Sequence, residues 1–249
     1  MNAPTPQLMT GGVYRCGTGL VNWYLLDTPS GVTVVDAGLP RYWRQLDAAL
    51  ASIGRSRTDI AGVVVTHGHA DHVGFAAKLC ARSAVPLWVP AGDEAMVTSG
   101  ATQPAEGRLL DYRGHRFAYR FMAHFLGNGG LRLPRVARVR TYEGGARLDL
   151  PGAPRAVHVP GHTHGTSAIF VEDAGVLLAG DALCNLNPLT GRTGPQVLPR
   201  AFNIDTALAL RSIEELAETE AEMTLFGHGE PWLGTVAEAV RRAAAIGAA

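Results

Sequence analysis

The sequence predicts an α/β fold built as an αββα sandwich, with two mixed β-sheets packed face to face and helices on both outer surfaces. Two β-rich halves, over about residues 13–97 and 136–246, each mix short apolar strands with helical patterns. The chain's 249 residues, 47% of them hydrophobic, are enough for one large domain with a two-layer core. No internal repeat is visible, which sets aside a solenoid or a propeller. The expected organisation is therefore a single domain over residues 1–249.

The opening reads as a β meander, with strands at Val13 to Cys16, Leu20 to Asp27 and Gly31 to Asp36, and a turn at Thr28-Pro-Ser-Gly31. Residues 41–53 carry Trp43, Leu46, Leu50 and Ile53 at helical spacing. A strand over 62–66, a helix over roughly 72–83, a strand at Val85 to Val89 and a short helix at Gly92 to Val97 complete this half. The second half opens with an expected hairpin, Val136 to Tyr142 against Arg147 to Leu150 around Glu143-Gly-Gly145. Strands at 155–159, 167–172 and 175–180 follow, then a helix at 206–218, a strand at 222–226 and a helix at 234–246.

Composition removes several classes of function. Formal net charge is zero, so no global field recruits nucleic acid or an anionic membrane. No run approaches the ~18 apolar residues of a membrane span. The start, Met-Asn-Ala-Pro-Thr-Pro-Gln, has neither the basic nor the apolar region of a secretory signal. Cys16, Cys80 and Cys184 cannot all pair, and their spacing is not that of a zinc finger, so a cytoplasmic location is expected.

The chemistry concentrates in seven residues. His67, His69, Asp71 and His72 crowd the turn Thr66 to His72, directly after the apolar run Gly62-Val-Val-Val65. Three further candidates each follow a strand pattern and a glycine: His162 after Val157-His-Val-Pro160, Asp181 after Val176-Leu-Leu-Ala179, and His228 after Met223-Thr-Leu-Phe226. Any one histidine alone would read as a hydrogen-bonded core or surface residue. His-x-His-x-Asp-His after a β run, with three such partners downstream, is far more restrictive. Four strand ends can converge on one edge of a layered fold, and five imidazoles with two carboxylates suit two borderline divalent cations, zinc above all. Two such ions about 3.5–4 Å apart lower the pKa of a shared water enough to supply hydroxide at neutral pH. No Ser or Cys nucleophile is then needed, and no Gly-x-Ser-x-Gly elbow is present.

On these residues the chain resembles the metallo-β-lactamase superfamily, whose hallmark is His-x-His-x-Asp-His followed by His, Asp and His. The resemblance runs from Val32-Thr-Val-Val-Asp-Ala-Gly38 through Gly227-His-Gly229. It implies the metallo-β-lactamase fold and two zinc ions per chain, with iron or manganese as the alternatives. By this likeness His67, His69 and His162 hold one metal, Asp71, His72 and His228 hold the other, and Asp181 bridges them. Asp36 becomes a structural carboxylate behind the ligands, and Asp71 doubles as the catalytic carboxylate that orients water and passes a proton to the leaving group.

Departures from subfamily patterns narrow the reading. Zinc β-lactamases generally have Cys or Ser near the bridging position, so Asp181 argues against a dedicated β-lactamase. Lactonases tend to place a Tyr three residues later, where this chain has Cys184. The thioesterases similar to glyoxalase II add a C-terminal helical domain that is absent here. The expected function is hydrolysis of a small ester, thioester or lactone by a metal-bound hydroxide. Alternatives are a mononuclear iron oxygenase of the persulfide dioxygenase type, or a β-lactam or phosphodiester hydrolase. His164, in Gly161-His-Thr-His-Gly165, reads as a plain loop histidine, and Cys184 as a small buried hydrophobe or a substrate contact.

Residues 99–135, between the halves, form an expected helical insert or cap. Phe117, Phe121 and Phe125 make one apolar stripe on a helix. Arg108, Arg113, Arg116, Arg120, Arg132 and Arg135 face only Glu106 and Asp111 in charge. Two readings stand: a helix packed on the core with a solvated basic face, or a cap whose Arg groups attract an anionic small-molecule substrate.

Overall fold

The computed structural model describes residues 5–132 and 135–247. Residues 1–4, which belong to the stretch read for a secretory signal, and residues 133–134 of the inter-half segment lie outside that description.

Sheet one has seven strands in chain order: β1 (Gln7–Thr10), β2 (Val13–Gly17), β3 (Asn22–Thr28), β4 (Gly31–Val35), β5 (Ile60–Val64), β6 (Leu87–Pro90) and β7 (Arg140–Tyr142). β1 to β4 form an antiparallel meander, and β4 to β7 pair in parallel. The crossovers between the parallel strands carry helices α1 (Trp43–Ser52), α2 (Ala70–Val73), α3 (Ala76–Arg82), α4 (Glu94–Ser99) and α5 (Arg116–Gly127). Sheet two runs in the order β13 (Met223–Leu225), β10 (Val176–Leu178), β9 (Ser167–Val171), β8 (Arg155–His158). A separate hairpin joins β11 (Cys184–Leu186) and β12 (Thr193–Gln196). Helices α6 (Thr206–Ser212), α7 (Glu214–Ala217) and α8 (Val236–Ile246) complete the second half. Asp205 caps α6 by accepting from the Leu208 N–H at 2.7 Å, and Thr235 caps α8 by accepting from Glu238; such caps contribute about 1 kcal/mol each.

Strand periodicity explains the four layers. Along β3, Trp23 and Leu25 face one core while Tyr24 and Leu26 face another. The first core lies under α1 and α3, with Leu46, Leu50 and Leu79. The second lies between the sheets, where Tyr24, Leu26, Val35 and Val64 meet Ile169, Val171, Val176 and Leu178. On the far side, Ala168, Phe170 and Leu177 pack against Leu216, Val236 and Val240 of the outer helices and Ile213 at the α6–α7 junction. Burying both faces requires strands without a polar face, which is why β3, β4 and β5 read as near-continuous apolar runs.

The structure corrects several sequence expectations. The hairpin expected from Val136 does not form: β7 joins β6 in parallel, and Arg147 makes only an isolated bridge to Arg155. Leu148 instead turns into the inter-sheet core, and Tyr142 donates its hydroxyl to the Val65 carbonyl at 2.7 Å. The helix expected over 72–83 is two helices broken at Gly74, where a Cβ would overlap the Gly38 carbonyl. Backbone-to-backbone packing therefore outweighs helix continuity there. The edge strand β1 and the β11–β12 hairpin carry too little alternation to be read from sequence. No helix among the described residues is long and apolar enough to cross a membrane.

Candidate metal centre

Sheet topology brings the predicted ligands to one edge. β8 and β10 are each antiparallel to β9, and β13 is parallel to β10. Thus β8, β10 and β13 all point the same way, and the turns that follow them carry His162, Asp181 and His228. β5 delivers the turn with His67 and His69 to the same edge from sheet one. A hydrogen bond from Ser167 N–H to the Thr66 carbonyl, at 2.9 Å, joins the two sheets beside it.

All seven predicted residues meet there. His67, His69 and His162 form one group of candidate donors, and Asp71, His72 and His228 another; His67, His72 and Asp181 form a third that links them. Within each group the donor atoms lie within 4.8 Å of one another. Nε2 of His67, Nδ1 of His69 and Nε2 of His162 are 2.9–3.2 Å apart. Two bonds of ~2.0–2.1 Å at a tetrahedral zinc span about 3.3–3.4 Å between donors, so these three nitrogens sit near that spacing. Asp181 lies between the groups. Its Oδ2 is 3.6 Å from His162 Nε2 and 3.3 Å from His228 Nε2, and its Oδ1 is 3.4 Å from His72 Nε2. Asp71 Oδ2 is 3.6 Å from His228 Nε2.

Partners behind the candidate ligands set which nitrogen faces the centre. Nδ1–H of His72 donates to Asp36 at 2.8 Å, and Nδ1–H of His228 donates to the Leu20 carbonyl at 2.5 Å. Nδ1–H of His162 meets Asn203 Oδ1 at 3.3 Å, with the Asn203 amide fixed by donating to the Leu198 carbonyl. Thr66 donates its hydroxyl to Asp36 and accepts from His67 Nδ1 at 3.2 Å. Each of these four rings therefore turns Nε2 inward. Asp36 thus hydrogen-bonds both His72 and Thr66. Gly227 packs so closely on Asp181 and His72 that a Cβ would overlap the carboxylate.

The electrostatics divide the imidazoles into two kinds. Burial, reinforced by neighbouring imidazoles, lowers His67, and burial also lowers His69. Burial lowers His162 to about 3. Burial acts the same way on His72 and His228, but Asp36 and Asp181 outweigh it at His72, and Asp181 and Asp71 at His228, raising both. Burial would raise Asp181, yet His228 and His72 hold it well below the usual carboxylate range.

The donor set fits a metal on one further observation. His72 Nε2 and Asp181 Oδ1 are buried, adjacent and without a hydrogen-bond partner among the described residues. Buried polar atoms left in this way carry a desolvation cost of ~1–3 kcal/mol each, which coordination to a shared cation removes.

Some supporting residues carried no sequence signal. Asp93 is fully buried and accepts from Gly68 N–H, Thr163 Oγ1, Gly165 N–H and Gln103 Nε2 at 2.7–2.9 Å. It ties the turn of His67 and His69 to the turn of His162. Asn22 donates to the carbonyls of Phe226 and Gly229 on either side of His228, and Arg15 reaches Gly229 and Glu230. His124 lies 2.6 Å from the Tyr42 hydroxyl. His164 is exposed, and the Cys184 thiol is sealed, its pKa driven up by burial.

A cavity of about 280 Å³ opens on the candidate ligands. His69, Asp71, His162, Asp181 and His228 reach its floor, and Met96, Phe121, Phe125, Pro188, Leu198 and Phe202 form much of its wall. Phe121 also meets the His228 ring edge-on at 5.5 Å. The Phe stripe of α5 therefore docks beside the candidate metal edge. Among the described residues, no Arg or Lys lines the cavity. Arg108, Arg113, Arg116, Arg120, Arg132 and Arg135 are exposed, which favours the solvated basic face, of the two readings, over Arg groups aimed at the site. The helix satisfies its apolar stripe inward, which leaves the charged stripe in water.

Comparisons with known proteins agree with this geometry. Residues 16–228 match the family model of the metallo-beta-lactamase superfamily. A Bacillus subtilis (strain 168) protein named "Probable metallo-hydrolase YflN" is 25% identical over 237 residues, spanning 90% of this chain and 86% of that protein. A metallo-beta-lactamase family protein from Thermus thermophilus superposes with a TM-score of 0.65 at 24% identity, covering 94% of this chain and 79% of that one. The FEZ-1 metallo-beta-lactamase from Legionella gormanii does so with a TM-score of 0.64 at 18% identity, covering 91% and 80%. These two structural likenesses speak for the fold alone. With the family model spanning the site from end to end, the chain belongs to the metallo-beta-lactamase superfamily, an enzyme family of metal-binding hydrolases.

Proposed function

We propose that this protein is a binuclear zinc hydrolase that cleaves a small ester, thioester or lactone. The observation that carries the reading is the position of Asp181, whose two oxygens face imidazoles of both donor groups at 3.3–3.6 Å beside an apolar cavity. In this proposal His67, His69 and His162 hold one ion, Asp71, His72 and His228 hold the second, and Asp181 is shared. When bound, the two ions supply an acidified water and an electrophilic pole for the substrate carbonyl. Asp71 orients the attacking water through its carboxylate, accepts its proton and returns it to the leaving atom. Asp36, Thr66, Asn203 and the Leu20 carbonyl hold the imidazoles in the tautomers this requires.

Residues 99–135 serve in this reading as a cap on one domain spanning residues 1–249. Two anchorages support it. Glu106 N–H and Gly107 N–H donate to the carbonyls of Asn203 and Arg200, and Glu106 Oε2 accepts from Thr206 N–H. At the other end Arg41 N–H donates to the Asn128 carbonyl, and the Arg41 guanidinium donates to Gly127. Three free cysteines, two of them buried, suit a reducing cytoplasm.

The test is metal quantification followed by an activity screen over thioesters, lactones, aryl esters, phosphodiesters and a β-lactam. About two zinc ions per chain with turnover of the acyl substrates is expected. One iron per chain with oxygen uptake would instead assign the mononuclear oxygenase alternative.

A further inference from the structure

We infer that the cavity beside the candidate metal edge selects an uncharged substrate with an aliphatic or aromatic acyl chain. The inference rests on the hydrolase reading above and narrows its substrate class. Three separate parts of the chain converge on the wall: Met96 from α4, Phe121 and Phe125 from α5, and Pro188, Leu198 and Phe202 from the stretch between β11 and α6. Such convergence builds an apolar sleeve whose one polar end is the ligand cluster.

Polar groups that line the sleeve are few, and the most prominent is already committed. The Gln103 amide nitrogen donates to Asp93 Oδ1 at 2.9 Å and to the Gly92 carbonyl at 3.3 Å, and its oxygen accepts from His164 N–H at 2.8 Å. It has no free valence for a substrate carboxylate or phosphate. Thr102 is the remaining neutral polar side chain away from the ligands. A charged substituent placed in the sleeve would lose its hydration without gaining a partner, which costs far more than a methylene gains. An apolar chain loses nothing and is drawn in by burial. The volume, about 280 Å³, lies at the small end of ligand sites and fits a short or medium chain rather than a large ring system.

The test uses zinc-loaded, metal-quantified protein and p-nitrophenyl esters from acetate to decanoate, with a succinate monoester as the charged comparison. Each added methylene is expected to raise kcat/KM about three- to fourfold until the sleeve is full, and the charged ester should be the poorest substrate of its length. Phe202→Ala and Phe125→Ala, both at half-buried positions, should each flatten the octanoate-to-acetate ratio. Turnover that ignores chain length, or that favours the charged ester, would overturn this inference and leave the hydrolase reading standing. If no ester is turned over, the hydrolase reading fails instead. Calorimetric titration of metal-free protein with neutral n-alkyl amides then decides the inference by itself. Affinity that climbs with chain length and falls in both variants supports the sleeve, and flat affinity overturns it.

Discussion

Asp36 Oδ2 lies 2.8 Å from Nδ1 of His72, and both side chains are sealed from solvent. The same carboxylate accepts from the Thr66 N–H and hydroxyl, so one residue at the end of β4 supports two rings of the metal edge. Asp36 holds this place with φ at +57°, a region disfavoured for a side-chain-bearing residue, which marks the local geometry as maintained by its partners. Asp36→Asn keeps the shape and removes the charge. Metal affinity at the Asp71, His72 and His228 group is expected to fall ~10–100-fold, read by competition against a metal-sensitive dye. Unchanged affinity would remove Asp36 from the site's support.

On the proposed role of Asp71, rate and binding should separate. Asp71→Asn retains an oxygen donor while losing the negative charge proposed to orient water. Turnover is expected to drop ~10²–10⁴-fold with metal content near that of the parent protein. Equal turnover at equal metal content would rule out the proton-handling role.

Acidity should distinguish the two donor groups. His72 is raised by Asp36 and Asp181, and His228 by Asp181 and Asp71, so each holds its proton more tightly than a free imidazole does, and a metal must expel it. Binding there therefore weakens as pH falls and releases protons to buffer. His67, His69 and His162 are lowered, with His162 near 3, so they are already neutral and release few protons. Stepwise acidification should strip the Asp71, His72 and His228 group first. Titration of apo-protein in two buffers of different ionisation enthalpy measures the proton release; equal release at both steps would contradict this division.

For the exposed arginines of residues 99–135 the expected effect is a null one. Arg113→Ala and Arg116→Ala remove exposed cations, the first from the turn before α5 and the second from its first residue. Michaelis constants for neutral and anionic esters should both change by less than about twofold, as expected for surface positions outside a binding site. A selective loss of affinity for the anionic ester would return these side chains to substrate capture.

The sequence alone determined the α/β class and the identity of the seven converging residues. Both are written locally, in apolar strand runs and in the glycine–ligand turns that end them, such as Gly161-His162, Gly180-Asp181 and Gly227-His228. Short-range patterns of this kind survive in a one-dimensional reading because period-2 alternation and turn chemistry act over a few residues. Tertiary structure decided the rest. Asp93 meets Thr163 across 70 positions, Asn203 meets His162 across 41, and Asn22 meets Gly229 across 207; no periodicity links such pairs. The orientation of α5 was also undetermined from sequence, since an amphipathic helix announces two faces without naming what each one meets. Packing settled it: the Phe stripe closed on the ligand edge, the arginines remained in water, and the cavity wall became apolar.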